Sequence, residues 1–73
     1  MIELPVLQQG VNGWTTKALQ LTLRGWVPAL GVDGIFGPAT RDAVVEVQHL
    51  GGVAQDGVVG PVTWNLVLKG TVN

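Results

Sequence analysis

Two aspartates head the same eight-residue phrase: Asp33-Gly-Ile-Phe-Gly-Pro-Ala-Thr40 and Asp56-Gly-Val-Val-Gly-Pro-Val-Thr63. Paired carboxylates are the groups with which glycosidases protonate a leaving oxygen and activate water. Here each carboxylate precedes a glycine in a turn signal, and the same placement twice points to one structural task done twice. Other catalytic arrangements lack their residues. The chain has no Ser, Cys or Tyr, so only Thr and carboxylates remain as nucleophiles. His49 is the single histidine, whereas a zinc site takes three or four ligands. No metal and no organic cofactor is expected. His49 reads as a solvated helix-end residue, where a cation suits the helix dipole, and Asp42 and Glu46 read as solubility charges on the outer face of that helix.

Binding is better served by the residue types. Trp14, Lys17, Ala18 and Leu21 fall at i, i+3, i+4 and i+7, a second face on a helix whose inner stripe is Thr16, Leu19, Gln20 and Leu23. Three short helices cannot bury both faces. An exposed Trp beside a Leu marks a contact surface, an aromatic face stacks on sugar C–H groups, and Lys17 suits the carboxylates of a peptide. A dimer contact and burial under the arm Ile2–Leu7 are the competing readings of the same face.

These residues need elements to hold them. Turn chemistry predicts three helices: Trp14 to about Arg24, Pro38 to about Leu50, and Pro61 to about Leu68. The first follows Asn12-Gly13 and is closed by Gly25, which suits a left-handed position. The second and third start at Pro, whose missing N–H costs nothing in a first turn. Gly51-Gly52 ends the second and Gly70 the third, with Thr71–Asn73 a frayed tail. The stripe Ala43, Val44, Val47 and Leu50 is the expected core face of the second helix. Trp64 is expected in the core with its N–H on a carbonyl, and Trp26 packed across the bundle end.

The repeated phrase is thus a helix-entry device. Asp-Gly turns the chain, the apolar pair Ile35-Phe36 or Val58-Val59 presses onto the core, and Gly-Pro launches the helix. Thr40 and Thr63, at the third helical position, reach back to the entering backbone. Gly13-Trp14-Thr15-Thr16 echoes Gly37-Pro38-Ala39-Thr40, so the first helix begins by a related rule, and Lys17 and Arg41 occupy equivalent positions that suggest a polar rim. The expected architecture is an all-α, three-helix bundle with tight connections and no extensive sheet. It forms one domain over residues 1–73, with a core of about 7–68 and peripheral ends at 1–6 and 69–73.

Bulk composition sets limits on partners. Seventy-three residues without cysteine must fold on packing alone, and a 47% hydrophobic, 12% charged composition supplies it. The net charge of −1, with four scattered basic residues, removes the electrostatic footprint of a nucleic-acid binder. Apolar runs are interrupted too often for a membrane span, and MIELPVLQQG lacks the basic and apolar regions of a signal peptide. A monomer is the default state.

The series Leu19-Gln20, Gly25-Trp26, Val32–Thr40, Val47-Gln48, Gly52 and Asp56–Trp64 resembles the peptidoglycan-binding domain of the first type. That family is a three-helix module appended to cell-wall amidases, muramidases, carboxypeptidases and phage lysins. The likeness runs from about Leu7 to Leu68. It implies non-catalytic attachment to peptidoglycan, through glycan strand or stem peptide, holding a tethered catalytic domain near its polymer. It implies an extracellular, cell-wall or periplasmic setting, or a released phage lysin. It also makes the Asp33–Phe36 loop a groove wall, and the place of Phe36 between two turns leaves its side chain expected half-exposed. The ligand-binding candidates are therefore Trp14, Lys17, Leu21, Asp33, Phe36 and Arg41. Trp14 stands where the family has a small residue or Pro, Leu21 where it is polar, Val47 where it has Phe, and Gln55 where it is apolar. A protein–protein interaction module or a prodomain-like structural segment that reuses the fold is the alternative.

Overall fold

The computed structural model describes residues 4–69. They form three helices, α1 (Trp14–Leu23), α2 (Pro38–Gly51) and α3 (Pro61–Lys69), joined by tight turns. Beyond the helices, the described residues contain two isolated antiparallel bridges, Leu7 with Val59 and Asn12 with Ile35. The all-α bundle expected from turn chemistry is what forms. Gly70 and Thr71–Asn73 lie outside the described residues.

Each helix buries the stripe its period dictates. α1 encloses Thr16, Leu19, Gln20 and Leu23, α2 encloses Thr40, Ala43, Val44, Val47 and Gln48, and α3 encloses Thr63, Trp64 and Val67. Leu7, Leu30, Phe36 and Val59, from the segments between and before the helices, complete the core. The Trp64 indole N–H donates to the Pro5 carbonyl at 2.7 Å, so a polar tip is satisfied and the N-terminal arm is pinned from residue 5. Trp26 packs half-buried against the same core.

Two expectations are corrected. Leu50, placed on the core stripe of α2, is 60% exposed. At that end of the helix α3 presents Leu66 to the bare backbone of Gly51, where an added Cβ would fall 2.5 Å from Leu66 Cδ1. The buried place in that turn goes to Gln48. Gly25 does not take a left-handed conformation either, for α1 ends through Arg24 in the right-handed region. Its last carbonyls accept from Gly25 and Trp26 N–H in a tightening turn instead. The end of α2 does follow expectation: Gly52 caps it at φ 72°.

Candidate functional site: a depression beside the first turn

The two repeated phrases are organised by residues outside them. Gln20 of α1 is 1% exposed and brings its amide within hydrogen-bond distance of five polar atoms of the first turn. Its Oε1 accepts from the backbone N–H of Asp33 at 3.0 Å and of Gly34 at 2.8 Å. Its Nε2 lies 2.9–3.0 Å from Asp33 Oδ1, the Ile35 carbonyl and Thr40 Oγ1. Gln48 of α2 does the same for the second turn, accepting from Gly57 N–H and reaching Asp56 Oδ1, the Val58 carbonyl and Thr63 Oγ1. An amide carries both an acceptor and donors, so one side chain can satisfy a turn whose loose ends are of both kinds. Gly34 and Gly57 must turn at φ 78° and 72°, which a side chain resists.

Each aspartate completes its own turn. Asp33 Oδ1 accepts from Ile35 N–H at 2.9 Å, and Asp56 Oδ1 from Val58 N–H at 3.0 Å. These bonds, with the Gln amides next in weight, hold both carboxyls below the ordinary value near 3.8. Neither aspartate is a free general acid, and the turn reading of the repeat stands. The sign for stability follows. A carboxyl more acidic in the folded state contributes stability that is complete above its unfolded value and disappears as the pH falls through its folded value. Thermal melts are therefore expected to be level above about pH 5 and to fall progressively below about pH 4. The variant Asp33→Asn/Asp56→Asn should lose much of that acid slope; an unchanged slope would refute the assignment.

The candidate ligand residues are then distributed by the fold. Trp14, Lys17 and Asp33 come together, with Asn12, Gly13, Gly34 and Ile35, around a shallow depression of about 340 Å³. The bridge between Asn12 and Ile35 closes its floor: Gly13 N–H donates to the Gly34 carbonyl and Phe36 N–H to the Val11 carbonyl. Trp14 is 82% exposed, so the described part of the N-terminal arm, from Leu4 onward, does not cover it. The Lys17 ammonium sits 5.2 Å from the indole centroid, a cation–π contact. Ile35 adds an exposed apolar side chain to the rim.

The other three candidates lie elsewhere. Leu21 is exposed one turn along the same flank of α1 but does not line the depression. Arg41 packs against the second turn, where a Cβ on Gly57 would meet its Cγ and Nε at 3.0 Å. Phe36, expected half-exposed as a groove wall, is 1% exposed and belongs to the core. The bridge to Asn12 sets the alternation of the pair, sending Ile35 out and Phe36 in.

Residue-by-residue reading missed Gln20 and Gln48 as organisers of the turns. Their signal was an apolar-Gln pair, Leu19-Gln20 and Val47-Gln48, on the inner stripe before each copy. Two further hollows copy one another: Gln20, Asp33, Pro38 and Thr40 line one, and Gln48, Asp56, Pro61 and Thr63 the other. The described residues contain no group of three or more His, Cys, Asp or Glu able to hold a metal ion, and no helix long and apolar enough to cross a membrane.

Comparison with known proteins agrees with this framework. Residues 10–67 match the family model described as "Putative peptidoglycan binding domain". The chain is 39% identical over 66 residues to the zinc D-Ala-D-Ala carboxypeptidase of Streptomyces albus G, covering 86% of this chain and 26% of that protein. Among solved structures, the Burkholderia AP3 phage endolysin superposes with a TM-score of 0.85 at 36% identity, over 94% of this chain and 27% of that one. A fused zinc-dependent amidase/peptidase/peptidoglycan-binding protein of Clostridium acetobutylicum gives 0.88 at 32% identity, over 97% and 32%. The chain spans about half or less of the curated relatives it matches.

Proposed function

This chain belongs to the peptidoglycan-binding domain family, and from that premise we propose that it attaches to the bacterial wall without chemistry of its own, through the depression beside Trp14, and so holds an associated cell-wall hydrolase on its substrate. The observation that carries this reading is the Trp14 indole, almost fully exposed on a rigid helix start beside one cation and one anion. A Trp in that position loses apolar hydration only when something covers it. Trp14, Lys17 and Asp33 form the contact, Leu21 extends it along α1, and Arg41 is assigned to the second turn's rim. Phe36 supports the site from the core.

A separate hydrolase gains from such a module by effective concentration. The relatives that carry a similar domain include a carboxypeptidase and a phage endolysin, each far longer than this chain. That supports a tethered catalytic partner acting outside the cell membrane, in the wall or periplasm. Asp33 and Asp56, the carboxylates closest to a hydrolytic pair, both have their Oδ1 atoms engaged in their own turns, which supports a binding role for this domain.

Sedimentation with purified peptidoglycan tests the proposal. The native domain is expected in the pellet, and Trp14→Ala, which removes an exposed side chain, should stay folded by circular dichroism while its retention falls about tenfold. A native domain that remains in the supernatant at roughly tens of micromolar, the weak end of useful single-site affinity, would sink the wall-anchor reading.

A further inference from the structure

We propose that the depression recognises a zwitterionic amino-acid end, an ammonium and a carboxylate on one carbon, as carried by the free end of a diamino acid in a peptidoglycan stem peptide. The inference rests on the wall-binding reading and names the part of the polymer that is held.

The arrangement of charge selects this class. Lys17 from α1 and Asp33 from the first turn line one depression of about 340 Å³. Each charge is held by a different neighbour. The ammonium lies on the Trp14 ring, at 5.2 Å from its centroid. The carboxylate takes hydrogen bonds from Ile35 N–H and the Gln20 amide, both on Oδ1. Asp33 is exposed, so Oδ2 keeps its lone pairs for a partner, and the bonds to Oδ1 favour the ionised form.

A ligand must answer both signs. A simple anion gains from Lys17 and is opposed by Asp33; a simple cation meets the reverse. A neutral disaccharide answers neither, and to stack on the indole face that Lys17 covers it must displace the ammonium. An ammonium and a carboxylate on one carbon answer both, and the aliphatic stem behind them can lie on Trp14 and Ile35.

The second turn serves as an internal control. It also has an aspartate and a basic residue, Asp56 and Arg41, but Pro38 stands where Trp14 stands in the first. Arg41 lies folded on Gly57, with Nε 3.0 Å from where a Cβ would be. The repeat reproduces the turn without the aromatic platform, so the zwitterion site is confined to the first copy.

The test is a titration of the 73-residue domain followed by the NMR signals of its three indole N–H groups, with Trp14 assigned from Trp14→Phe. The probes are the stem tripeptide N-acetyl-L-Ala-γ-D-Glu-meso-diaminopimelate, the same peptide acetylated on the diaminopimelate amine, the same peptide amidated at the carboxylate on that carbon, and the N-acetylglucosamine–N-acetylmuramic acid disaccharide with its lactyl carboxyl amidated so that it is neutral. The free tripeptide should shift the Trp14 signal, and each cap should weaken binding about three- to tenfold, the range for partly exposed charge pairs. Lys17→Ala should abolish the penalty of amidation alone, and Asp33→Asn that of acetylation alone. Arg41→Ala should leave all three affinities unchanged. A Trp14 shift from the disaccharide without one from the tripeptide, or equal binding of capped and free peptide, overturns the proposal. Retention on whole peptidoglycan, measured in parallel, separates the two readings. A domain that pellets but ignores the peptide keeps its wall-binding function and loses this assignment. A domain that neither pellets nor binds the peptide loses both.

Discussion

Replacing Gln20 by Leu is expected to cost about 2–4 kcal/mol and to lower the melting temperature by roughly 10–25 °C, for a domain this short loses about 4–8 °C per kcal/mol. The side chains are similar in size, so the cost is not a cavity. It is the loss of an amide that serves donors and acceptors of one turn together: Asp33 and Gly34 N–H lose their acceptor, Thr40 Oγ1 loses its donor, and Asp33 Oδ1 and the Ile35 carbonyl each lose one of their donors. Thr40 is itself buried, so water cannot take the amide's place there. Domains of this length have roughly 4–11 kcal/mol in all, and a single change would consume much of it. Gln48→Leu should cost somewhat less, because the Gln48 amide reaches four such atoms and accepts from one N–H rather than two. Gln20→Glu is the informative control. A carboxylate can still accept from Asp33 and Gly34 but cannot donate to Asp33 Oδ1, and it adds a like charge beside it. Its destabilisation should therefore ease as the pH is lowered from 7 towards about 5, opposite in direction to the acid slope of the native domain. Thermal melts by circular dichroism decide the matter, and a drop of less than about 3 °C for Gln20→Leu would show that the Gln network contributes little.

The fold was legible where the physics is local. Pro at the first position of α2 and α3, Gly52 past the end of α2, and the apolar period within each helix placed the three helices to within a residue or so of their bounds. The repeated phrase announced two equivalent helix entries. It did not disclose that a glutamine on the preceding helix locks each one, because the two glutamines stand at unequal distances from their aspartates, Gln20 and Asp33 against Gln48 and Asp56, and only the folded helices bring them to the same place. Leu50 failed for a related reason. Its angular position on α2 is a core position, but the neighbour there is Leu66 lying on Gly51, which no helical period encodes. At the candidate site, the second face of Trp14, Lys17 and Leu21 on α1 was legible from the helical period, but whether the N-terminal arm covers it was not, because that depends on where the arm packs. The partnership of Trp14 and Lys17 with Asp33 needed the bridge between Asn12 and Ile35, a long-range contact invisible to local pattern.

Phe36→Ala is expected to destabilise the domain by about 3–5 kcal/mol, the range for deleting a fully buried aromatic ring. Phe36 is enclosed to 1% exposure, and the backbone that carries it is fixed on both sides. Its N–H donates to the Val11 carbonyl at 3.0 Å, and its carbonyl accepts from Gly10 N–H at 2.9 Å. The site cannot collapse freely onto the space left behind, so the cost should fall towards the upper end. Phe36→Leu keeps most of the apolar volume and should cost much less, with peptidoglycan retention close to native. This pair separates two roles that a pull-down alone would confuse. If the ring touched ligand, Phe36→Ala would stay folded and Phe36→Leu would lose retention, because an aromatic face is what stacks on a sugar. If the ring supports the turn from beneath, Phe36→Ala loses retention only as it loses its melting transition, and Phe36→Leu retains both. The second pattern is the expected one. The alternation that sends Ile35 to the rim sends Phe36 to the core, and the depression beside Trp14 keeps its shape because a buried ring holds up the turn that carries Asp33.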